Sequence, residues 1–277
     1  MNATAAKLAG FAAALAALFG VGAAAGSIFQ PSAPGGDVES AHGGEMAAMA
    51  VRGLGVAENG LRIVVADPEL RRGRTEQLRF RIVGEDGRAV RDFDIEHTKR
   101  MHLIVARRDL TGFQHLHPAM AADGTWTAAV RLRDAGSYRV FADFSHDGEK
   151  TTLADNLRVD GMADLRPLPA PATTAVSDGG YDVRLAEDTS RAGEESELRF
   201  TVTKDGRAVQ TEPYLGAGGH LVALRQGDLA FLHVHPTQGD DGIGFEATFP
   251  TTGAYRLFLQ FKVRGVVQTV AFTQEVR

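Results

Sequence analysis

Two long stretches of this chain are copies of one another, and that duplication constrains the fold more than any other feature. Glu76-Gln77-Leu78-Arg79-Phe80 returns as Ser196-Glu197-Leu198-Arg199-Phe200, and Asp86-Gly87-Arg88-Ala89-Val90 returns unchanged as Asp205-Gly206-Arg207-Ala208-Val209. His102-Leu103 and Phe113-Gln114-His115-Leu116-His117-Pro118 return as His220-Leu221 and Phe231-Leu232-His233-Val234-His235-Pro236. Gly136-Ser137-Tyr138-Arg139 returns as Gly253-Ala254-Tyr255-Arg256, and the offset stays between 117 and 120 residues throughout. A unit of that size is a domain rather than a solenoid repeat. The expected divisions are residues 59–163 and 179–277, separated by a stiff proline-rich linker, 164–178, that contains Arg166-Pro167-Leu168-Pro169-Ala170-Pro171.

Each copy reads as all-β. Short alternating runs (Leu78 to Val83, Thr125 to Leu132, Tyr255 to Val263) are separated by turn pairs such as Asp86-Gly87 and Asp205-Gly206. No stretch after residue 30 holds a 3.6-residue period over a helical length. About seven short strands in roughly 100 residues predict an immunoglobulin-like (cupredoxin-like) β-sandwich, twice over. Asp134-Ala135-Gly136-Ser137-Tyr138 has the form of a tyrosine corner, in which the phenol turns back onto the main chain; the second copy keeps Gly253 and Tyr255 but has Thr251 for the Asp.

Ahead of the copies, Leu8 to Phe29 carries no charge and follows Lys7. As a helix it would reach about 33 Å, enough to cross a bilayer core. Residues 1–30 are therefore read as an N-terminal transmembrane anchor or a signal peptide, with the anchor favoured and Ala23-Ala24-Ala25 as the small-residue cleavage site of the rival reading. Either way the repeats are expected outside the cytoplasm, at the cell membrane or secreted. Residues 31–58 read as a flexible linker; its His42, Met46 and Met49 are soft ligand types, but an ordinary linker is the favoured reading. A net charge of −5 offers no basic footprint for nucleic acid, and the absence of cysteine removes disulfides, thiolate sites and blue-copper centres.

Six of the nine histidines form two matching triplets, whose members stand thirteen and then two positions apart. His115 and His117 leave the same face of a strand. A two-residue hairpin turn at Gly227-Asp228 would put His220 opposite His235 and Val222 opposite His233. The equal spacing puts His102 opposite His117, with His115 diagonal, across a turn at Asp109-Leu110 that opens toward Gly112. Pro118 and Pro236 end the strand. Three neutral imidazoles on neighbouring strands are a donor set for Cu(II) or Zn(II). The candidate metal ligands are His102, His115, His117, His220, His233 and His235, with His146 as a fourth nitrogen in the first copy; His97 has no counterpart. Hydrogen-bonded structural histidines beside Phe113 and Phe231 are the competing explanation.

Met101-His102-Leu103-Ile104-Val105, the Asp109–Pro118 run, Tyr138-Arg139-Val140-Phe141-Ala142-Asp143-Phe144 and Gly219-His220-Leu221-Val222-Ala223-Leu224-Arg225 carry a resemblance over essentially the whole chain. With the Ala-rich leader, they resemble a family of actinobacterial membrane-anchored or secreted proteins of the heavy-metal-binding-domain type. The resemblance implies metal binding, although relatives have a tether richer in His. Phe231-Leu232-His233-Val234-His235 is also similar to the copper-ligand strand of copper-zinc superoxide dismutases, whose remaining ligands and disulfide are absent here. The expected function is extracytoplasmic binding of copper, or alternatively zinc, for sequestration or delivery to an envelope partner. The alternative is a non-metal adhesion or scaffold module. No nucleophile elbow, phosphate loop or paired-carboxylate motif points to an enzyme.

Overall fold

The computed structural model describes residues 51–186, 190–232, 234–237 and 242–277. The expected membrane or signal helix and the His42 tether lie outside them. Among the described residues no helix is long and apolar enough to cross a membrane.

The first copy is a two-sheet sandwich of seven main strands: β1 (Leu61–Val65), β2 (Thr75–Val83), β3 (His102–Arg107), β4 (Gln114–Leu116), β5 (Trp126–Arg131), β6 (Gly136–His146) and β7 (Glu149–Val159). One sheet runs β1-β2-β5, and the other β7-β6-β3-β4. Alternation along β2 explains why it forms there: Leu78, Phe80 and Ile82 are buried while Arg79 and Arg81 point outward. The second copy repeats the plan with β8 (Asp182–Leu185), β9 (Glu195–Lys204), β10 (His220–Arg225), β11 (Phe231–Leu232), β12 (His235–Thr237), β13 (Ile243–Thr248), β14 (Gly253–Val263) and β15 (Val266–Val276). Its sheets run β8-β9-β13-β12 and β11-β10-β14-β15. Both tyrosine corners form. The Tyr138 hydroxyl donates to the Asp134 carbonyl at 2.9 Å and that of Tyr255 to the Thr251 carbonyl at 3.1 Å. The acceptor is main chain in both, so the Asp-to-Thr difference leaves the corner intact. The order of strands and this corner make each copy immunoglobulin-like.

The copies are not independent beads on a linker. Their His-bearing sheets pack on each other through a third apolar cluster, separate from the two sandwich cores. It pairs equivalent residues: Ile104 with Val222, Ala106 with Leu224, Leu110 with Leu229, Phe141 with Phe258 and Ala154 with Ala271 all contribute. The aromatic contacts are reciprocal. Phe113 stacks on Phe258 with centroids 4.1 Å apart, and the equivalent pair, Phe231 and Phe141, meets at 5.7 Å. Such reciprocity is what an isologous two-fold interface requires. The chain has therefore built a pseudo-dimer from its own duplication.

Strand alternation supplies the side chains. In β3, Leu103 and Val105 enter the core of the first sandwich, while His102, Ile104 and Ala106 face the other copy. Leu110 and Leu229 take left-handed backbone conformations (φ 63° and 61°), which cost energy in a residue with a Cβ, and both are buried in the seam. The linker is docked too. Leu168 packs on the seam, the Arg166 amide donates to Asp109 at 2.8 Å, and the buried Arg107 guanidinium donates to the Asp164 carbonyl at 3.0 Å.

Because the seam is apolar and continuous, the two sandwiches should unfold together. Trp126 is the only tryptophan and reports on the first copy, whereas far-ultraviolet circular dichroism reports on both. In urea the two signals should coincide for the natural protein. Phe258→Ala should cost about 3–5 kcal/mol and pull the two transitions apart; coincident transitions in that variant would contradict the seam.

Candidate metal centre

The predicted register is present in the first copy. Leu103 pairs with Leu116 and Ile104 with His115, which places His102 level with His117 and His115 on the diagonal. All three rings face the seam. Each offers one ring nitrogen within 4.8 Å of the others, and among the described residues they are the group of potential metal-binding side chains. Ring centroids lie 5.2 Å apart for His102 and His115, 5.1 Å for His102 and His117, and 4.8 Å for His115 and His117.

The second copy departs from expectation. The β10–β11 register would continue to His220 opposite His235, but pairing stops at Leu232. The chain then changes sheets, so His235 pairs with Glu246 on β13 and is exposed. Pro236 does not end this strand; it sits within β12, on the edge of its sheet, where a missing donor is tolerated. The turn is also wider than a Gly227-Asp228 pair, since Arg225 and Ala230 close a loop over residues 226–229. His233 lies outside the described residues. His220 stays with the group, but from the opposite side of the seam. Its ring is nearly parallel to that of His102 (9°, centroids 5.4 Å) and lies 4.6 Å from that of His115.

His146 does not join. It lies three residues beyond Asp143, the partner of His102 across β3 and β6, so the alternation sends it to the other sheet face. There its Nδ1 lies 2.8 Å from the Asp92 carbonyl and its ring faces Phe93. The fourth-ligand expectation for His146 is thus corrected. His97 takes a place that its lack of a counterpart gave no reason to expect. In a left-handed conformation (φ 45°), it brings its ring within 6.1 Å of His102 and 5.8 Å of His220. The equivalent position in the second copy is Leu215.

Hydrogen bonds fix which nitrogens are available. The His102 Nε2 lies 3.1 Å from the Glu96 carbonyl, an acceptor only, so Nε2 carries the proton and Nδ1 the lone pair. With the Gln260 amide in this orientation, the His115 Nδ1 donates to its Oε1 at 2.7 Å, which leaves the lone pair on Nε2. These two lone-pair nitrogens face each other 3.0 Å apart. The His117 Nε2 is buried with no hydrogen-bond partner. Gln260 comes from the second copy at the position equivalent to Asp143. Thr152 donates to Asp143 at 2.7 Å, whereas the Gln260 amide nitrogen donates to Thr269 at 3.3 Å, so the contact is kept with its direction reversed and its charge lost.

The field inside the seam opposes charge. Burial and repulsion from His102 and His117 bring His115 down to about 3, and burial with repulsion from His102 brings His117 down to about 4. Burial, then the neighbouring imidazoles, holds His220 well below its ordinary value; burial also lowers His97 and His102. Burial raises Asp143, against the pull of Thr152 and His102. Neutral imidazoles are the form a metal ion requires.

Comparison with known proteins adds a family but no chemistry. The chain matches the sequence model of a domain of unknown function, DUF8832, twice, at residues 56–161 and 174–277. No curated protein matches. Solved structures that match the chain at low overlap include the Escherichia coli adhesin FdeC (16% identity, TM-score 0.29, 80% of this chain and 65% of that one). A Salmonella alpha-2-macroglobulin reacted with methylamine is another (14%, 0.29, 82% and 15%), as are the tandem Ig repeats of Dlar (8%, 0.22, 78% and 97%). The chain spans less than two thirds of the adhesin and of the macroglobulin, and overlaps this low carry no functional argument.

Acid should weaken the metal-free fold. His115 and His117 titrate near 3 and 4 when folded and near 6.5 when unfolded, so the unfolded chain binds more protons between those limits. Stability is complete above about pH 6.5 and declines as pH falls toward 4, with the folding constant dropping about tenfold per pH unit for each such proton. Urea unfolding at pH 7, 6 and 5 should show that decline, and His115→Asn should flatten it; a pH-independent midpoint would contradict the burial. Since both repeats match one model over most of the chain, this protein belongs to the DUF8832 family.

Proposed function

We propose that the paired repeats hold one copper ion, with zinc as the alternative, at the seam between them, for sequestration or delivery outside the cytoplasm. The observation that carries the reading is the pair of lone-pair nitrogens facing each other, His102 Nδ1 and His115 Nε2, with the unpartnered His117 Nε2 beside them. Two acceptors at 3.0 Å repel unless a proton or a cation lies between them, and the depressed basicity of His115 disfavours the proton. A cation resolves the arrangement. His102 Nδ1, His115 Nε2 and His117 Nε2 would hold it, a neutral imidazole donor set that suits Cu(II) or Zn(II). The second contacts suit the role as well. Metal-binding histidines donate their other N–H to a carbonyl or carboxylate, as His102 does to Glu96 and His115 to Gln260.

The location outside the cytoplasm and the attachment to a membrane rest on residues 1–30 of the sequence, as does an envelope partner that receives the metal. The scaffold reading has one observation in its favour. With the Gln260 amide reversed, His115 would donate from Nε2 to His102, and the histidines would form a closed structural relay.

Titration of the full-length protein with Cu(II) and Zn(II) separates the two. The metal reading expects one equivalent per chain, affinity lowered at least 100-fold by His115→Ala, and little change in His146→Ala or His235→Ala. Gln260→Glu, which can only accept, should hold or strengthen affinity. Binding no tighter than high micromolar, or two equivalents lost separately with the two repeats, contradicts it and leaves the relay.

A further inference from the structure

The imidazoles at the seam outnumber the donors that the proposed centre needs. His102, His115 and His117 form the centre, and His220 and His97 are left over. The His220 ring lies 4.6 Å from that of His115 and 5.4 Å from that of His102, and neither of its nitrogens has a hydrogen bond among the described residues. His97 continues the row, 5.8 Å from His220 and 6.1 Å from His102. His102 is 2% exposed, whereas His97 is half-buried and reaches the surface.

The chain accepts a backbone cost to put an imidazole at that place. Glu96 and Lys99 exchange main-chain hydrogen bonds of 2.8 and 2.9 Å, and both residues between them are left-handed (His97 φ 45°, Thr98 φ 66°). Such a turn favours Asn-Gly, and a residue branched at Cβ, such as Thr98, suits it poorly. The equivalent turn of the second copy, between Tyr214 and Ala217, has the same form but carries Leu215 and Gly216. The two turns meet across the seam, with the Thr98 methyl against Gly216. Leu215, 8% exposed, fills its half with an aliphatic side chain, and His97 puts a metal donor in the matching position. Backbone strain of this kind persists where the surrounding structure enforces it, and it clusters at functional sites.

A cation stripped of its ligands is costly inside an apolar seam, so a new donor must attach before an old one lets go. We propose that His97 is the exchange ligand of the centre. It takes Cu(II) or Zn(II) at the surface, hands it by way of His220 to His102, His115 and His117, and takes it back on release, with no change of oxidation state. The inference rests on the metal reading of those three histidines and adds the way in, between the two turns.

His97→Leu copies the residue that the equivalent turn already holds, and His97→Asn suits a left-handed backbone, so two variants guard against a misfolded one. Full-length protein is mixed with Cu(II) as its glycine complex, loading is followed by quenching of Trp126, the sole tryptophan, and release is followed after adding EDTA. An exchange route lowers the barrier equally in both directions. In both variants loading and release should therefore each slow at least tenfold, about 1.4 kcal/mol in barrier height. One equivalent should still bind, with the affinity and the urea midpoint of the natural protein. Natural rates in the variants overturn the inference and leave the centre standing. An affinity that falls with the rates also overturns it, since His97 would then be a permanent ligand. A natural protein that takes up no metal overturns the centre and the route together.

Discussion

The apolar seam between the two sandwiches is the contact on which the rest of the molecule depends. Side chains that alternate along β3, β6, β10 and β14 serve two cores at once: Leu103 and Leu221 turn inward, while Ile104 and Val222 turn toward the other copy. Reciprocal stacking of Phe113 on Phe258 and Phe231 against Phe141 sets the two sheets in a pseudo-two-fold relation. That relation brings His102 face to face with its own counterpart, His220, and removes both from bulk water. Without the seam, His102, His115 and His117 would lie on an open sheet face, where imidazoles titrate near their ordinary value.

Enclosure explains the chemistry of the histidines better than sequence proximity does. Taken out of water and packed against each other, the rings are poor bases, and the carbonyls of Glu96 and Gln260 dictate which nitrogen of His102 and His115 stays free. The duplication supplied two equal halves, but they have diverged at the seam. Asp143 corresponds to Gln260 and His97 to Leu215, and the first copy keeps both His115 and His117 beside His102. In the second, the chain crosses to the other sheet before His235. Among the described residues the outcome is one asymmetric cluster, which the spacing of the two triplets alone does not distinguish from two separate sites.

Much of this was legible in the residues. The duplicated segments, the tyrosine corners at Tyr138 and Tyr255, and the pairing of His102 with His117 all follow from local periodicity and spacing. What local spacing does not encode is which sheet face meets another domain. A trace was present in the uninterrupted apolar runs Leu103 to Ala106 and Leu221 to Leu224, which a half-exposed strand would not carry and which mark burial on both faces. His97, Asp143 and Gln260 had no such trace, because their role arises only when the copies dock. His146 fails for a simpler reason: it stands three residues after Asp143, the partner of His102, and an odd step along a strand turns a side chain to the other face.

The most direct test of the account is anomalous diffraction from crystals soaked in Cu(II), collected at the copper edge. The account predicts one strong peak per chain in the seam, about 2.0–2.2 Å from a nitrogen of each of His102, His115 and His117. A seam without a peak, or peaks on His146 or His235 instead, would contradict it.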